Sequence, residues 1–156
     1  MQRVLRYVSG TKDRGLPYRT GTVVQLVGYT DAHWVGNAGD RRSTSGYAFS
    51  LGSAVIAWSS KKQLAVALSS TKAEYQGVVV GTCEAIWLKR LLKDMQEEVS
   101  DPTTIYCDNL NSIQLAKNPV FHARTKHIEV HYHFVRERVL SGEVELQYVP
   151  TDRQTA

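Results

Sequence analysis

The strongest constraint on this chain is one stripe, Gly77, Gly81, Ala85, Leu88 and Leu92, whose members fall at steps of four and three between Thr71 and Lys93. That spacing puts all five on one side of an α-helix. Each glycine costs a helix about 1 kcal/mol relative to alanine. Two in one stripe therefore require a sheet or a second helix to approach very closely. Glu74 lies at the head of the same stripe, so it is expected along the packed face and not in solvent.

Before this helix the period is two. Val23 to Thr30 reads as a first strand ended by Asp31, and Ala32 to Thr44 as a polar, glycine-containing turn. Tyr47, Phe49 and Leu51 alternate with Gly46, Ala48 and Ser50, Gly52-Ser53 is a two-residue hairpin signal, and Val55 to Trp58 returns. Tyr47, Phe49 and Trp58 are expected in the core. After the helix, Thr103 to Asp108 is a strand and Asn109 to Lys117 a short helix stopped by Asn118-Pro119. A further helix spans about Ala123 to Leu140, with Ile128, Tyr132, Val135 and Val139 as its buried stripe. Val144, Leu146 and Tyr148 alternate as the last strand. The order βββ-α-β-α-α-β implies an α/β fold: a five-stranded mixed sheet, three antiparallel strands then two parallel, flanked by helices. Residues 1–22 read as a leader, with Val4, Leu5 and Val8 on one side of two amphipathic turns.

At 156 residues the chain is one domain by length. Its net charge of +4 permits a phosphate-bearing partner without demanding one. Cys83 and Cys107 form no close pair, which suits free thiols in a reducing compartment. No apolar run approaches the ~18 residues of a membrane span, and the basic start lacks a signal peptide's apolar core. The expectation is a cytoplasmic or nuclear protein without a membrane partner.

Three carboxylates stand at junctions of elements: Asp31, Glu74 and Asp108. Each has a plain structural alternative. Asp31 suits a turn, Thr71-x-x-Glu74 fits a capping box, and Asp108 can cap the helix that follows it. Together they suggest more, because the topology sets the first and fourth strands side by side and passes the long helix over the same end. Phosphoryl chemistry with two divalent cations needs such a cluster, one ion activating water and the other steadying the leaving oxygen.

Six segments then carry a family resemblance: Tyr29-Thr-Asp-Ala-His-Trp34, Asp40-Arg-Arg-Ser-Thr-Ser-Gly-Tyr47, Trp58-Ser-Ser-Lys-Lys-Gln63, Ala67-Leu-Ser-Ser-Thr-Lys-Ala-Glu-Tyr75, Tyr106-Cys-Asp-Asn109 and Arg124-Thr-Lys-His-Ile128. In this order they resemble the ribonuclease H domain of copia-type LTR retrotransposon polyproteins. The likeness covers essentially the whole chain, and residues 1–22 resemble the end of the preceding reverse transcriptase region. The resemblance implies a ribonuclease H-like fold over residues 23–156, bound Mg²⁺ (Mn²⁺ as a substitute), and endonucleolytic cleavage of RNA paired to DNA during reverse transcription. It carries Asp31, Glu74 and Asp108 over as catalytic metal ligands, with Asp31 bridging both ions. It also implies two partners, an RNA–DNA hybrid and the reverse transcriptase region of the same polyprotein, and a cytoplasmic virus-like particle or the nucleus as location.

His33 stands where the family usually has a second acid, and Lys72 where an acid is common before Glu74; neither is a catalytic position. The family's fourth carboxylate follows the segment that here reads Val149-Pro-Thr-Asp-Arg-Gln-Thr-Ala156. Asp152 is too early in that motif to take the role, so the chain is expected to be clipped at its C-terminus. A catalytically weak or inactive domesticated fragment, acting as a nucleic-acid or protein binding module, is the alternative function. A DNA strand-transfer enzyme of related fold is a third, less well matched by the motifs.

Candidate nucleic-acid contacts are Arg41, Arg42, Ser70, Asn109, Arg124, Lys126 and His127, with Lys61 and Lys62 beside them. Backbone N–H groups near Gly36 to Gly39 and at Ser69-Ser70 are candidates for sensing the 2′-hydroxyl. His127 and His131 have a zinc-compatible i, i+4 spacing near Glu129 and His133, but no third ligand at fixed spacing. A polar helix face near substrate accounts for them better.

Overall fold

A computed structural model of the chain describes residues 2–21, 23–35, 39–97, 99–118 and 126–156, with side chains described for all of these except 126–132. The elements are α1 (Gln2–Gly10), β1 (Leu26–His33), β2 (Thr44–Leu51), β3 (Ala54–Lys62), α2 (Ser70–Asp94), β4 (Thr103–Cys107), α3 (Leu110–Lys117), α4 (Lys126–Leu140) and β5 (Val144–Tyr148), followed by a 3₁₀ turn over Thr151–Arg153. The sheet order is β3-β2-β1-β4-β5. The first three strands are antiparallel, whereas β1–β4 and β4–β5 are parallel. This is the expected five-stranded mixed sheet, with strands one and four adjacent.

The glycine stripe explains how α2 crosses it. A Cβ on Gly81 would lie 2.4 Å from Thr30 Cγ2, and one on Gly77 would lie 3.3 Å from the Asp31 carbonyl oxygen. The helix thus rests close on β1, against the Asp31 backbone at Gly77, where an added Cβ would be crowded, and against the Thr30 side chain at Gly81, where it would clash. Below it Leu26, Phe49, Ile105 and Leu146 close the core with Val78, Ala85 and Leu88. Phe49 is fully buried; truncating such a side chain to alanine typically costs 3–5 kcal/mol. On α4, Val135 is buried and Val139 packs against the core, while Ile128 and Tyr132 lie outside the described side chains. Helix α1 buries none of its residues, Val4, Leu5 and Val8 included. Among the described residues, no helix is long and apolar enough to cross a membrane.

Several boundaries differ from expectation, each for a pairing reason. Strand β1 starts at Leu26 instead of Val23 and runs through Asp31 to His33, because Asp31 pairs with Gly46 and His33 with Thr44. Strand β3 continues to Lys62, opposite Thr44. Strand β4 stops at Cys107, so Asp108 is the first residue past it.

Trp58 is 75% exposed, not core. Counting outward from the Gly52-Ser53 hairpin puts Trp58 opposite Tyr47, on the face that Phe49 buries. The register shifts at Phe49/Ser50, however: Ser50 pairs with Val55 and Phe49 with Ala57. Ile56 is the extra residue of a β-bulge. Trp58 then pairs with Ala48 and falls on the face that α2 leaves open.

Candidate metal centre

None of the three structural alternatives for the acids survives. Asp31 is a paired strand residue, not a turn residue. Helix α2 is capped by Ser69, whose side chain accepts from the Lys72 N–H at 3.2 Å, so Glu74 is no part of a capping box. Helix α3 is capped by Asn109, whose side-chain oxygen accepts from the Ser112 N–H at 3.0 Å. Asp108 is left outside the helix.

Glu74 and Asp108 converge. One ligand atom from each, together with the Cys107 sulfur, lie within 4.8 Å of one another. Glu74 is only 8% exposed, and its Oε2 has no hydrogen-bond partner among the described residues. Its pKa is raised to about 8, first by burial, then by the charges of Asp31 and Asp108, against a lowering contribution from the Ala32 backbone N–H. The carboxyl of Asp31 is raised too, by burial and then by Asp108. Asp31 therefore sits within Coulombic reach of both other acids, although it is not in the tight trio. Asp31, Glu74 and Asp108 thus share one end of the sheet electrostatically, while the close trio is Glu74, Cys107 and Asp108.

Cys107 was legible in the sequence only as a buried free thiol. Burial pushes that thiol up to about 12, the Asn109 backbone N–H opposes the shift, and Glu74, Asp108 and Asp31 add to it. Its position immediately before Asp108 is the one signal that places it at the site. Thr151 and Gln154 were missed as well. The Thr151 hydroxyl donates to Asp108 Oδ2 at 2.8 Å, and Gln154 Nε2 donates to the Thr30 carbonyl at 2.8 Å. Both lie far along the chain; the parallel course of β5 beside β4 brings Thr151 to Asp108 and Gln154 to the residue before Asp31.

The candidate nucleic-acid contacts are spread more widely. Arg41 and Arg42 are exposed, Arg41 with φ +53°. Asp40 ties their turn to β3 through a 2.9 Å ion pair with Lys62. Ser70 is exposed at the first turn of α2. Asn109 uses its amide oxygen as a cap. Arg124, residues 36–38, and the side chains of Lys126, His127, Glu129 and His131 lie outside the described residues; His133 is exposed.

No family model matches the chain. The chain is 45% identical to the "Retrovirus-related Pol polyprotein from transposon RE2" of Arabidopsis thaliana over 156 residues, all of this chain and 11% of that protein. It is 40% identical to the corresponding polyprotein from transposon TNT 1-94 of Nicotiana tabacum, over 98% of this chain and 11% of that one. The chain thus spans about a tenth of the length of the curated relatives it matches. Among solved structures it superposes on LC11-RNase H1 in complex with an RNA/DNA hybrid, with TM-score 0.56 and 10% identity, covering 84% of this chain and 89% of that one. Sheet order, helix placement and these similarities agree: the chain is a ribonuclease H-like domain that resembles a region of the Pol polyproteins of copia-type LTR retrotransposons.

Proposed function

We propose that this domain is a Mg²⁺-dependent endonuclease that cuts the RNA strand of RNA–DNA hybrids, with Asp31, Glu74 and Asp108 as its metal ligands. One observation carries this above the others. Glu74 is buried, one of its oxygens has no partner among the described residues, and the two charges that raise its pKa, Asp31 and Asp108, are also carboxylates. An unpaired buried polar atom typically costs 1–3 kcal/mol, and two further acids beside it raise that cost. A hard divalent cation, which takes oxygen ligands, resolves all three at once.

The protein's own contribution is to hold these groups. Strand pairing to Gly46 fixes Asp31, the Gly77 and Gly81 contacts fix the height of Glu74 above the sheet, and the end of β4 presents Asp108. Magnesium, when bound, supplies an activated water and neutralises charge on the leaving oxygen. Arg41, Arg42 and Ser70, with Arg124, Lys126 and His127, are assigned to the nucleic-acid backbone. On the same proposal residues 1–22 belong to the preceding reverse transcriptase region, and the polyprotein acts in a cytoplasmic particle or the nucleus.

The test is a labelled-hybrid cleavage assay in Mg²⁺ and in EDTA, with Asp108→Asn beside the wild type. Cutting in Mg²⁺ alone, lost in the variant while hybrid binding survives, is expected. Equal cutting by the variant refutes the assignment. Hybrid bound but uncut by the wild type makes the domain a binding module.

A further inference from the structure

Magnesium chemistry gives no role to Cys107, which packs in the core and whose thiol donates weakly to the Asn109 carbonyl. Its thiol is fully buried, and its sulfur stands within 4.8 Å of ligand atoms from both Glu74 and Asp108. Sulfur is a soft donor and has little to offer Mg²⁺, which prefers oxygen. The remaining donors of the trio are hard carboxylate oxygens, and the Glu74 carboxyl has one desolvated oxygen, Oε2, with no partner among the described residues. A thiol and carboxylates are all donor types that a borderline-soft d¹⁰ cation accepts, and three protein ligands leave an open fourth position.

We propose that Cys107, Glu74 and Asp108 form a site for a thiophilic divalent cation, zinc or cadmium, that excludes magnesium from the same carboxylates. This inference rests on the proposed function only in that it shares Glu74 and Asp108 with the magnesium site. Around a tetrahedral zinc, Zn–S and Zn–O lengths place neighbouring ligand atoms about 3.5 Å apart. The trio needs to contract by at most a little over 1 Å, and the cation's charge cancels the repulsion that opposes contraction. Coordination releases the thiol proton to solvent. The Asn109 backbone N–H, 3.5 Å from the Cys107 sulfur, is already placed to donate to the resulting thiolate, the outer-shell support that metal ligands commonly have. Zinc also binds a donor set that contains a thiolate more tightly than magnesium does, so at equal concentrations the soft cation prevails.

Cys83 gives the internal control. It is the other free cysteine, exposed on α2.

The experiment titrates Cd²⁺ into the full chain, without nucleic acid, and reads the thiolate-to-cadmium charge-transfer absorbance in the near ultraviolet. Wild type and Cys83→Ala are expected to develop the same one-to-one band, and Cys107→Ala none. Glu74→Gln keeps the thiol and guards against a misfolded Cys107 variant; its cadmium affinity is expected to fall at least about tenfold. Excess Mg²⁺ is expected to shift the wild-type titration to higher Cd²⁺. A band that survives Cys107→Ala, undiminished affinity in Glu74→Gln, or indifference to Mg²⁺ each overturns the proposal. Because no hybrid is present, a protein that shows the band yet never cuts hybrids loses the proposed function and keeps this site.

Discussion

Helix α2 buries two polar side chains just over two turns apart, and it treats them oppositely. Thr82 is fully buried, and its hydroxyl donates to the Val78 carbonyl at 2.8 Å. Glu74 is buried nearly as well, but its Oε2 has no partner among the described residues and two acids stand nearby. The middle of the helix is closed and satisfied; its head is closed and frustrated. Packing at Gly77 and Gly81 holds that head in place, together with Gln63 Nε2 donating to the Ala73 carbonyl and the Ser112 hydroxyl donating to the Thr71 carbonyl. Stability in one half of the helix keeps a carboxyl group desolvated in the other.

Glu74→Gln breaks this contrast most completely. Mg²⁺-dependent hybrid cleavage is expected to fall below detection in the assay above. Stability is expected to move the other way. The glutamine carries no charge to bury, so the cation-free variant should have a higher Tm than wild type at alkaline pH. A variant that is both active and no more stable contradicts the description of the helix head.

Gly81→Ala tests the packed half. The new Cβ meets Thr30 Cγ2 at 2.4 Å. Thr30 cannot turn away easily, because it is fully buried on a paired strand with its hydroxyl directed at the Tyr106 carbonyl. Overpacking of this kind costs about 1–3 kcal/mol, more than the roughly 1 kcal/mol that alanine returns as helix propensity. A net loss of up to about 2 kcal/mol in urea denaturation is expected, and a gain would show that α2 can lift off the sheet.

The two halves were not equally visible in the sequence. The stripe from Gly77 to Leu92 announced a helix pressed onto a sheet, and Gly77 and Gly81 do meet β1. Periodicity is a local signal, so it survives without knowledge of the fold. The face taken by Trp58 did not survive, because one bulged residue, Ile56, reverses the phase of a strand and leaves no mark in composition. At the site, Glu74 and Asp108 were legible from motif wording, whereas Cys107 and Thr151 were not. Their roles come from where β4 ends and from the parallel course of β5, and both are properties of the assembled sheet.

The pH dependence sharpens the contrast with a smaller effect. The pKa of Glu74 is raised from 4.5 to about 8 in the fold, so the folded state holds a proton that the unfolded chain has released. Stability of the cation-free protein should then decline as pH rises from about 4.5 and level off above about 8. Asp31, raised by the same causes, adds in the same direction. Mg²⁺ at neutral pH should restore Tm and release protons, measurable in weakly buffered solution. A flat profile between those limits would mean that the carboxylates are not desolvated together.

Thr151→Val probes the outermost contact of the head and carries the smallest expected effect. The hydroxyl donates to Asp108 Oδ2 at 2.8 Å from an exposed turn, so its loss should change stability by no more than about 0.5 kcal/mol. Orientation is another matter. A carboxylate held by an outer hydrogen bond presents its remaining lone pairs in a fixed direction, and such partners are worth about tenfold in metal affinity. Mg²⁺ affinity, read by calorimetry, is expected to drop by about that factor in Thr151→Val and to recover in Thr151→Ser, which keeps the donor and loses only a methyl. Were affinity to rise instead, Thr151 would be competing with the cation for Asp108, and the turn after β5 would be a restraint on the site and not a support.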